Sequence, residues 1–225
     1  WDDRGNSAYK KHVINYHFKE EGEVIGSVTL RLDATVLGLG ILAEDSGDEV
    51  KQGQPASHVV KEFLEDNGFA PSYSGSLDVG FYLQRIRCSD AFSGAAIPEE
   101  LQTLLTLDGL TVRQPEGYKD SLGEFDYTQG SGWMCAVNGY YPGRGLSNVF
   151  LGDGDVVTIA FTLAYGKDIG GADAANVRGN LRTYCGTWLG DRYIPHHDFV
   201  EGKCSICGKA EEAHEHQWSE EVNRE

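Results

Sequence analysis

Alternation of apolar and polar residues is the feature that most limits what this chain can fold into. In residues 27–36 every second residue is apolar, and residues 157–163 repeat the pattern with valine, isoleucine, phenylalanine and leucine. A period of two sends successive side chains to opposite faces of a strand. Each stretch therefore predicts a β-strand with one buried face, and glycines spread between short apolar runs favour strands and turns over a helical bundle.

Two segments have the spacing of helices instead. Residues 56–67 carry an apolar stripe, Pro55 suits the first turn, and Gly68 stands where a helix commonly ends. A shorter helix is predicted after Pro98, where three leucines have the spacing of a packed face. The stripe residues of the first helix are Val59, Val60, Phe63 and Leu64, and the leucines of the second are Leu101, Leu104 and Leu105.

The other strands are expected in two regions. A strand is predicted around residues 81–88, and another over 133–138 that ends in the turn dipeptide Asn138-Gly139. Residues 149–151 predict a short strand, while residues 37–55 are rich in glycine and acids and predict at most a short strand near Val50. This order lacks the βαβα alternation of a doubly wound nucleotide-binding fold, so the predicted class is α+β.

The net charge of the chain makes two classes of partner unexpected. The formal net charge is −16, with a pI near 4.7. Phosphate groups repel such a protein, so nucleic acid and anionic membrane surfaces are not expected partners. No apolar run approaches the roughly 20 residues that span a bilayer, so membrane insertion is not expected either.

Residues 130–139 read GSGWMCAVNG, and residues 151–157 read LGDGDVV. This combination resembles the transcobalamin C-terminal-like domain, an uncharacterised module of secreted and surface proteins of Gram-positive bacteria that also occurs as the β domain of cobalamin carriers. The order of elements follows that family from about residue 27 to residue 170. The segment 89–130 is longer than expected for the family, and the large helical barrel of the carriers is absent from this sequence.

The resemblance implies a β-grasp-like mixed sheet with one main helix, a secreted or cell-surface location in a larger bacterial protein, and binding without catalysis. It also implies cobalamin or another corrinoid as an alternative ligand, captured together with a partner. A structural spacer in a larger surface protein is the third hypothesis.

The sequence divides into five parts. Residues 1–23 form a leader or edge segment, and residues 24–170 the β-grasp-like domain with its excursion at 89–130. Residues 171–195 are a small, polar linker, and residues 196–216 are rich in cysteine and histidine. Residues 217–225 form an acidic tail.

The cysteine- and histidine-rich segment predicts a structural zinc site. A Cys-x2-Cys turn at Cys204 and Cys207 places two thiolates within reach of one tetrahedral ion. His197 and His214 are the expected further ligands, with His196 and His216 as alternatives, and zinc is the default metal for such a mixed set. The alternatives are a disulfide between the two cysteines or free thiols in a disordered end.

Three cysteines remain outside that segment: Cys88, Cys135 and Cys185. Cys88 and Cys135 fall on predicted strands and would be neighbours in a disulfide if the domain is secreted. A buried free thiol is the commoner state of such a residue, and we favour it.

The candidate ligand-binding residues surround the Asn-Gly turn: Trp133, Tyr140, Tyr141 and Arg144. We expect Trp133 to be primarily a core residue and the two tyrosines to be exposed, because they follow a turn and precede Pro142. Together these residues predict a contact surface for a small molecule, a glycan or a protein.

No catalytic motif is visible in the sequence. It contains no G-x-S-x-G, no phosphate-binding loop motif and no H-E-x-x-H, and its many carboxylates form no evident acid–base pair. Asp153 and Asp155 lack the register of a calcium loop, so turn chemistry explains them more simply. We therefore expect a protein that is not an enzyme.

Overall fold

In the computed structural model, the described residues are 20–113, 119–171, 184, 187–189, 192–194, 199–204 and 210–211. They form an α+β fold, as predicted. The two helices are α1 (Ala56–Asp66) and α2 (Glu99–Leu107). The strands are β1 (Val24–Asp33), β2 (Ile41–Lys51), β3 (Ala70–Ser74), β4 (Tyr82–Arg87), β5 (Ser121–Gly123), β6 (Gly132–Val137), β7 (Val156–Thr162), β8 (Thr187–Leu189), β9 (Arg192–Ile194), β10 (Phe199–Val200) and β11 (Lys203–Cys204).

The main sheet is mixed and has the strand order β2-β1-β7-β6. Its central strands β1 and β7 are parallel, with Leu30 opposite Val157 and Leu32 opposite Ile159, while β2 and β6 pair antiparallel on the two outer sides. The two alternating sequences therefore lie side by side. Their apolar residues share one face, and this shared face explains why both patterns have a period of two.

Helix α1 supplies the apolar stripe that the sequence predicts. All four stripe residues are buried and belong to the same core as the sheet residues Leu30 and Ile159. Gly68 follows the helix with φ of +78°, a conformation that glycine adopts without strain. Helix α2 likewise buries its three leucines, so both predicted helices and their buried faces are confirmed.

A second, three-stranded sheet has the order β3-β4-β5. A bidentate ion pair supports the turn after β5: Nη1 and Nη2 of Arg85 donate to the two carboxylate oxygens of Asp126 at 2.7 and 2.6 Å. The same carboxylate accepts a hydrogen bond from the backbone N–H of Gly123 at 2.8 Å. This pair fixes the path of the chain between β5 and β6.

Two local predictions differ from the structure. Residues 41–51 form a long strand where a loop with a short strand was expected. β2 is an outer strand whose side chains are mostly exposed, so it tolerates acids and a glycine, and only Val50 is fully buried. Residues 149–151 do not form a strand: a 3₁₀ turn at Leu146–Asn148 precedes them, and Phe150 makes an isolated bridge with Pro55.

The C-terminal part contributes two small antiparallel pairs, β8 with β9 and β10 with β11. Within the described ranges, no helix is both long enough and apolar enough to cross a bilayer.

Candidate functional site

The turn after β6 is a tight hairpin turn that requires two left-handed residues. Asn138 has φ of +52° and Gly139 has φ of +78°. The backbone N–H and C=O groups of Val137 and Tyr140 exchange hydrogen bonds of 2.9 and 3.0 Å across it. The predicted Asn-Gly turn is therefore confirmed, and it directs the following residues away from the sheet.

The carboxylates of the DGD sequence hold turns together. Asp155 accepts hydrogen bonds from the side-chain amide of Asn138 and from the backbone N–H of Gly152, both at 2.8 Å. Asp153 accepts one from the N–H of Ser27 at 3.0 Å. The Asp155 carboxylate holds its own turn, as the simpler interpretation expects, whereas the Asp153 carboxylate ties that turn to β1.

A concavity of about 300 Å³ lies beside β6, and we call it the edge cleft. Its first wall is the start of β4, its second is β6 itself, and its third is the loop after the Asn-Gly turn. The lining residues are Phe81, Tyr82, Leu83, Trp133, Met134, Cys135, Pro142, Gly143, Arg144, Gly145 and Leu146. The volume is at the lower end of the range for small-ligand sites.

A second concavity, of about 310 Å³, adjoins the first, and we call it the tyrosine hollow. It shares Pro142 and Arg144 with the edge cleft, and its other lining residues are Val137, Tyr140, Asn148, Val149 and Phe150. Tyr140 is 72% exposed and Phe150 is 62% exposed. Two large exposed rings beside one cation form a surface suited to contact with another molecule.

The four predicted site residues do not form a single site. Arg144 lines both concavities, Trp133 only the edge cleft, and Tyr140 only the tyrosine hollow. Trp133 is 8% exposed, and its ring lies against Phe161 with centroids 5.1 Å apart. Its predicted core role is confirmed, and the predicted exposure of Tyr140 is also confirmed.

Tyr141 is half-buried, so its predicted exposure is wrong. It lines a separate cavity of about 290 Å³ together with Thr158, Ala160, Asp33 and Asp168. Thr158 and Ala160 alternate with the core residues of β7, so this cavity lies on the opposite face of the main sheet. Burial, reinforced by the nearby carboxylates, raises the pKa of the Tyr141 phenol.

The edge cleft has one charged lining residue and two lining residues whose pKa values are raised. Arg144 is the one charged side chain among the residues that line it. Burial raises the pKa of the Cys135 thiol to about 12, so this sulfur stays protonated at neutral pH. Tyr82 donates a hydrogen bond to Glu124 at 2.8 Å, and burial followed by this bond raises its pKa to about 12.

Sequence reasoning missed Phe81, Tyr82 and Phe150, which border the two concavities. The dipeptide Phe81-Tyr82 opens a predicted strand directly after Gly80, and that position was the available signal. Their proximity to the Asn-Gly hairpin depends on how the two sheets pack, which no local pattern records.

The predicted metal ligands His197, Cys207 and His214, with the alternatives His196 and His216, lie outside the described residues. Cys204 lies on β11 and is buried. Among the residues that the structure describes, no three histidine, cysteine, aspartate or glutamate side chains form a group that could hold a metal. Zinc binding by the C-terminal segment stays a prediction.

Two of the three remaining cysteines lie within the described residues. Cys88 and Cys135 are both free thiols, as favoured from the sequence. Cys185 lies outside the described residues.

No protein-family model matches this chain, and no curated protein matches it.

Proposed function

We propose that this chain is a non-catalytic binding module of an extracellular or cell-surface protein. One observation carries the proposal: the edge cleft and the tyrosine hollow adjoin each other and share Pro142 and Arg144. The predicted location rests on the resemblance to modules of bacterial surface proteins. The acidic net charge of −16 keeps nucleic acid out of the expected partners.

The chemistry of the lining residues supports binding over catalysis. Neither concavity is lined by an aspartate, a glutamate or a histidine, so neither wall carries a carboxylate or imidazole acid–base group. The Cys135 thiol is a poor nucleophile because its pKa is about 12. Exposed aromatic rings and a single arginine are instead the groups enriched where proteins contact partners.

The experiment is a binding screen of the intact chain against small molecules, a glycan array and peptides. Any ligand found is then titrated against Arg144→Ala and Tyr140→Ala, with Val79→Ala as a matched surface control. Val79 is 73% exposed and lies in the turn before β4, outside both concavities. Binding that the first two variants weaken and the control preserves supports the proposal, whereas binding that neither variant changes contradicts this location.

Cobalamin belongs in the same screen, because a corrinoid is the alternative ligand. Calorimetric titration with millimolar cobalamin, alone and with a helical-barrel partner, tests that alternative, and absence of heat in both experiments ends it. Metal-dependent hydrolysis of any substrate by the chain would contradict the non-catalytic part. Failure of every ligand class would favour the structural spacer.

A further inference from the structure

Among the described residues, the outer strand β6 pairs with β7 on one side and with no strand on the other. Some of its backbone groups therefore face no partner strand in this part of the chain. The N–H of Asn138 donates to the C=O of Val156 at 2.8 Å, and this bond sets the register of the pair. In an antiparallel pair, alternate residues point their N–H and C=O groups towards the partner. Even-numbered residues of β6 therefore face β7, and odd-numbered residues face outward.

Both ends of this outward-facing edge are already occupied. At the start, the C=O of Ser131 accepts a hydrogen bond from the N–H of Phe125 at 3.0 Å. At the end, the N–H of Val137 donates to the C=O of Tyr140 at 2.9 Å. Between them, the outward N–H and C=O groups of Trp133 and Cys135 meet no strand within the part of the chain that the structure describes.

The edge cleft lies at this same stretch, since Trp133, Met134 and Cys135 form one of its walls. The opposite wall is the start of β4, where Phe81 and Leu83 are buried apolar residues. Strand β5 pairs with Arg85–Arg87 of β4, and the next N–H, that of Glu124, donates to the C=O of Gln84 at 2.9 Å, so the pairing stops before Leu83 and this wall. The cleft therefore combines two backbone donors and two backbone acceptors with an apolar wall and one cation, Arg144.

We propose that the edge cleft binds an extended polypeptide segment of a partner protein, which adds to β6 as a further strand. Alternating donors and acceptors on an open strand edge match an extended peptide backbone. The apolar wall would accept an apolar side chain of that segment, and Arg144 an acidic side chain or a terminal carboxylate. This inference rests on the proposed function and names the ligand class of the same site.

A second copy of this chain fits the edge less well. Pairing β6 with its copy would bring together two chains that each carry a net charge of −16. It would also offer Arg144 no acidic residue from β6, because Gly132–Val137 contains none. Charge therefore favours a different polypeptide with an acid near an apolar residue.

The test uses a synthetic library of capped octapeptides that alternate valine or isoleucine with threonine or glutamate. Binding to the intact chain is measured by fluorescence anisotropy, and amide hydrogen exchange then locates the contact. We expect the amides of Trp133 and Cys135 to become protected when a peptide binds. The same peptide with N-methyl groups on its pairing amides is expected to bind at least about tenfold more weakly.

A matched pair of variants tests the strand edge from the protein side. Cys135→Pro removes an outward N–H while leaving every hydrogen bond between β6 and β7, because residue 135 faces away from β7. Cys135→Ala removes the thiol and keeps the N–H. We expect the proline variant to bind about tenfold more weakly than the alanine variant, which serves as its reference. Should the proline variant not fold, the N-methylated peptide tests the same hydrogen bonds from the ligand side.

The outcomes separate this inference from the proposed function. If no library peptide binds at millimolar concentration, or if N-methylation does not change binding, strand addition is wrong. If a glycan or small molecule binds, Arg144→Ala weakens it, and Cys135→Pro does not, the proposed function stands and this inference fails. If peptide binding protects the amides of Trp133 and Cys135 from exchange, and if Cys135→Pro weakens that binding, both the proposed function and this inference are supported.

Discussion

The indole N–H of Trp133 donates a hydrogen bond to the backbone C=O of Leu122 at 2.9 Å. Trp133 lies on β6 of the main sheet, and Leu122 lies on β5 of the second sheet. A single side chain thus ties the two sheets together beside the edge cleft. Because the cleft is the gap between these sheets, Trp133 sets its shape as well as lining it.

Replacing Trp133 with phenylalanine should lower the free energy of unfolding by about 1–3 kcal/mol. The smaller ring keeps an aromatic contact with Phe161 but loses the indole hydrogen bond and part of the buried surface. Urea unfolding followed by circular dichroism measures this loss. Tyr82→Phe is the control, because it also removes one hydrogen bond, to Glu124, but from a half-exposed side chain, and we expect about 0.5 kcal/mol there. Equal losses in the two variants would contradict the role assigned to Trp133.

Asp126→Asn should lower the free energy of unfolding by about 3 kcal/mol. The Asp126 side chain is only 4% exposed, and its partner Arg85 is mostly buried, so loss of the carboxylate charge leaves the guanidinium poorly compensated. Thermal and urea unfolding measure the effect. The control is Asp90→Asn, whose ion pair with Lys119 at 3.0 Å is exposed on both sides, so its loss should have little effect on stability. A small effect at Asp126 would show that the turn after β5 does not depend on this pair.

The stability of the chain should rise as the pH falls from about 6.5 to 4. Burial raises the pKa of Asp168 from 3.8 to about 6, although Thr162 and the N–H of Leu163 donate hydrogen bonds to its carboxylate. A folded-state pKa above the unfolded-state pKa means that folding takes up a proton between about pH 4 and pH 6. Stability is therefore gained as the pH falls through this window and lost as it rises, by on the order of 1–3 kcal/mol.

Asp168→Asn isolates the contribution of that carboxyl group. The amide is neutral at every pH and still offers an acceptor to Leu163, so the variant should fold and should lose most of the pH dependence between about pH 4 and pH 6.5. Melting temperatures of both proteins across this range measure the difference. Asp48 also has a pKa raised by burial, so Asp48→Asn shows how much of the slope comes from elsewhere. An unchanged slope in the Asp168 variant would refute the assignment.

The C-terminal segment should bind about one zinc ion per chain, since its cysteines and histidines have the spacing of a closed site. Elemental analysis of the purified protein measures the metal. The double variant Cys204→Ser with Cys207→Ser should abolish binding, whereas Cys88→Ser should leave it unchanged. Chelation should loosen residues 196–216 and leave the main core folded. Cooperative unfolding of the whole chain on chelation would contradict that separation.

The sequence predicts those segments in which the spacing of apolar residues identifies a buried face. The alternation in β1 and β7 and the stripes of α1 and α2 each identify a buried face without reference to any other segment. β2 was largely missed because an outer strand with exposed side chains has no such pattern. The acids that suggested a loop are compatible with its position at the sheet edge.

The candidate site was only partly predictable. The Asn138-Gly139 turn follows from local backbone preferences, and so does the exposure of Tyr140. Tyr141 is adjacent in sequence yet lines a different cavity, which no local pattern of the sequence records. Phe81 and Trp133 line the same cleft because of how the two sheets pack, and this packing depends on residues far apart in the chain.

The parallel pairing of β1 with β7 has a consequence for how the chain is made. During synthesis the β1–β2 hairpin leaves the ribosome long before residues 156–162 are made. The side of β1 that pairs with β7 is therefore unpaired during that time. Joining segments so distant along the chain costs loop-closure entropy before any contact repays it, which slows folding. The nascent chain is thus most exposed to misassociation in the interval before β7 emerges, and a chaperone that shields β1 would be most useful then.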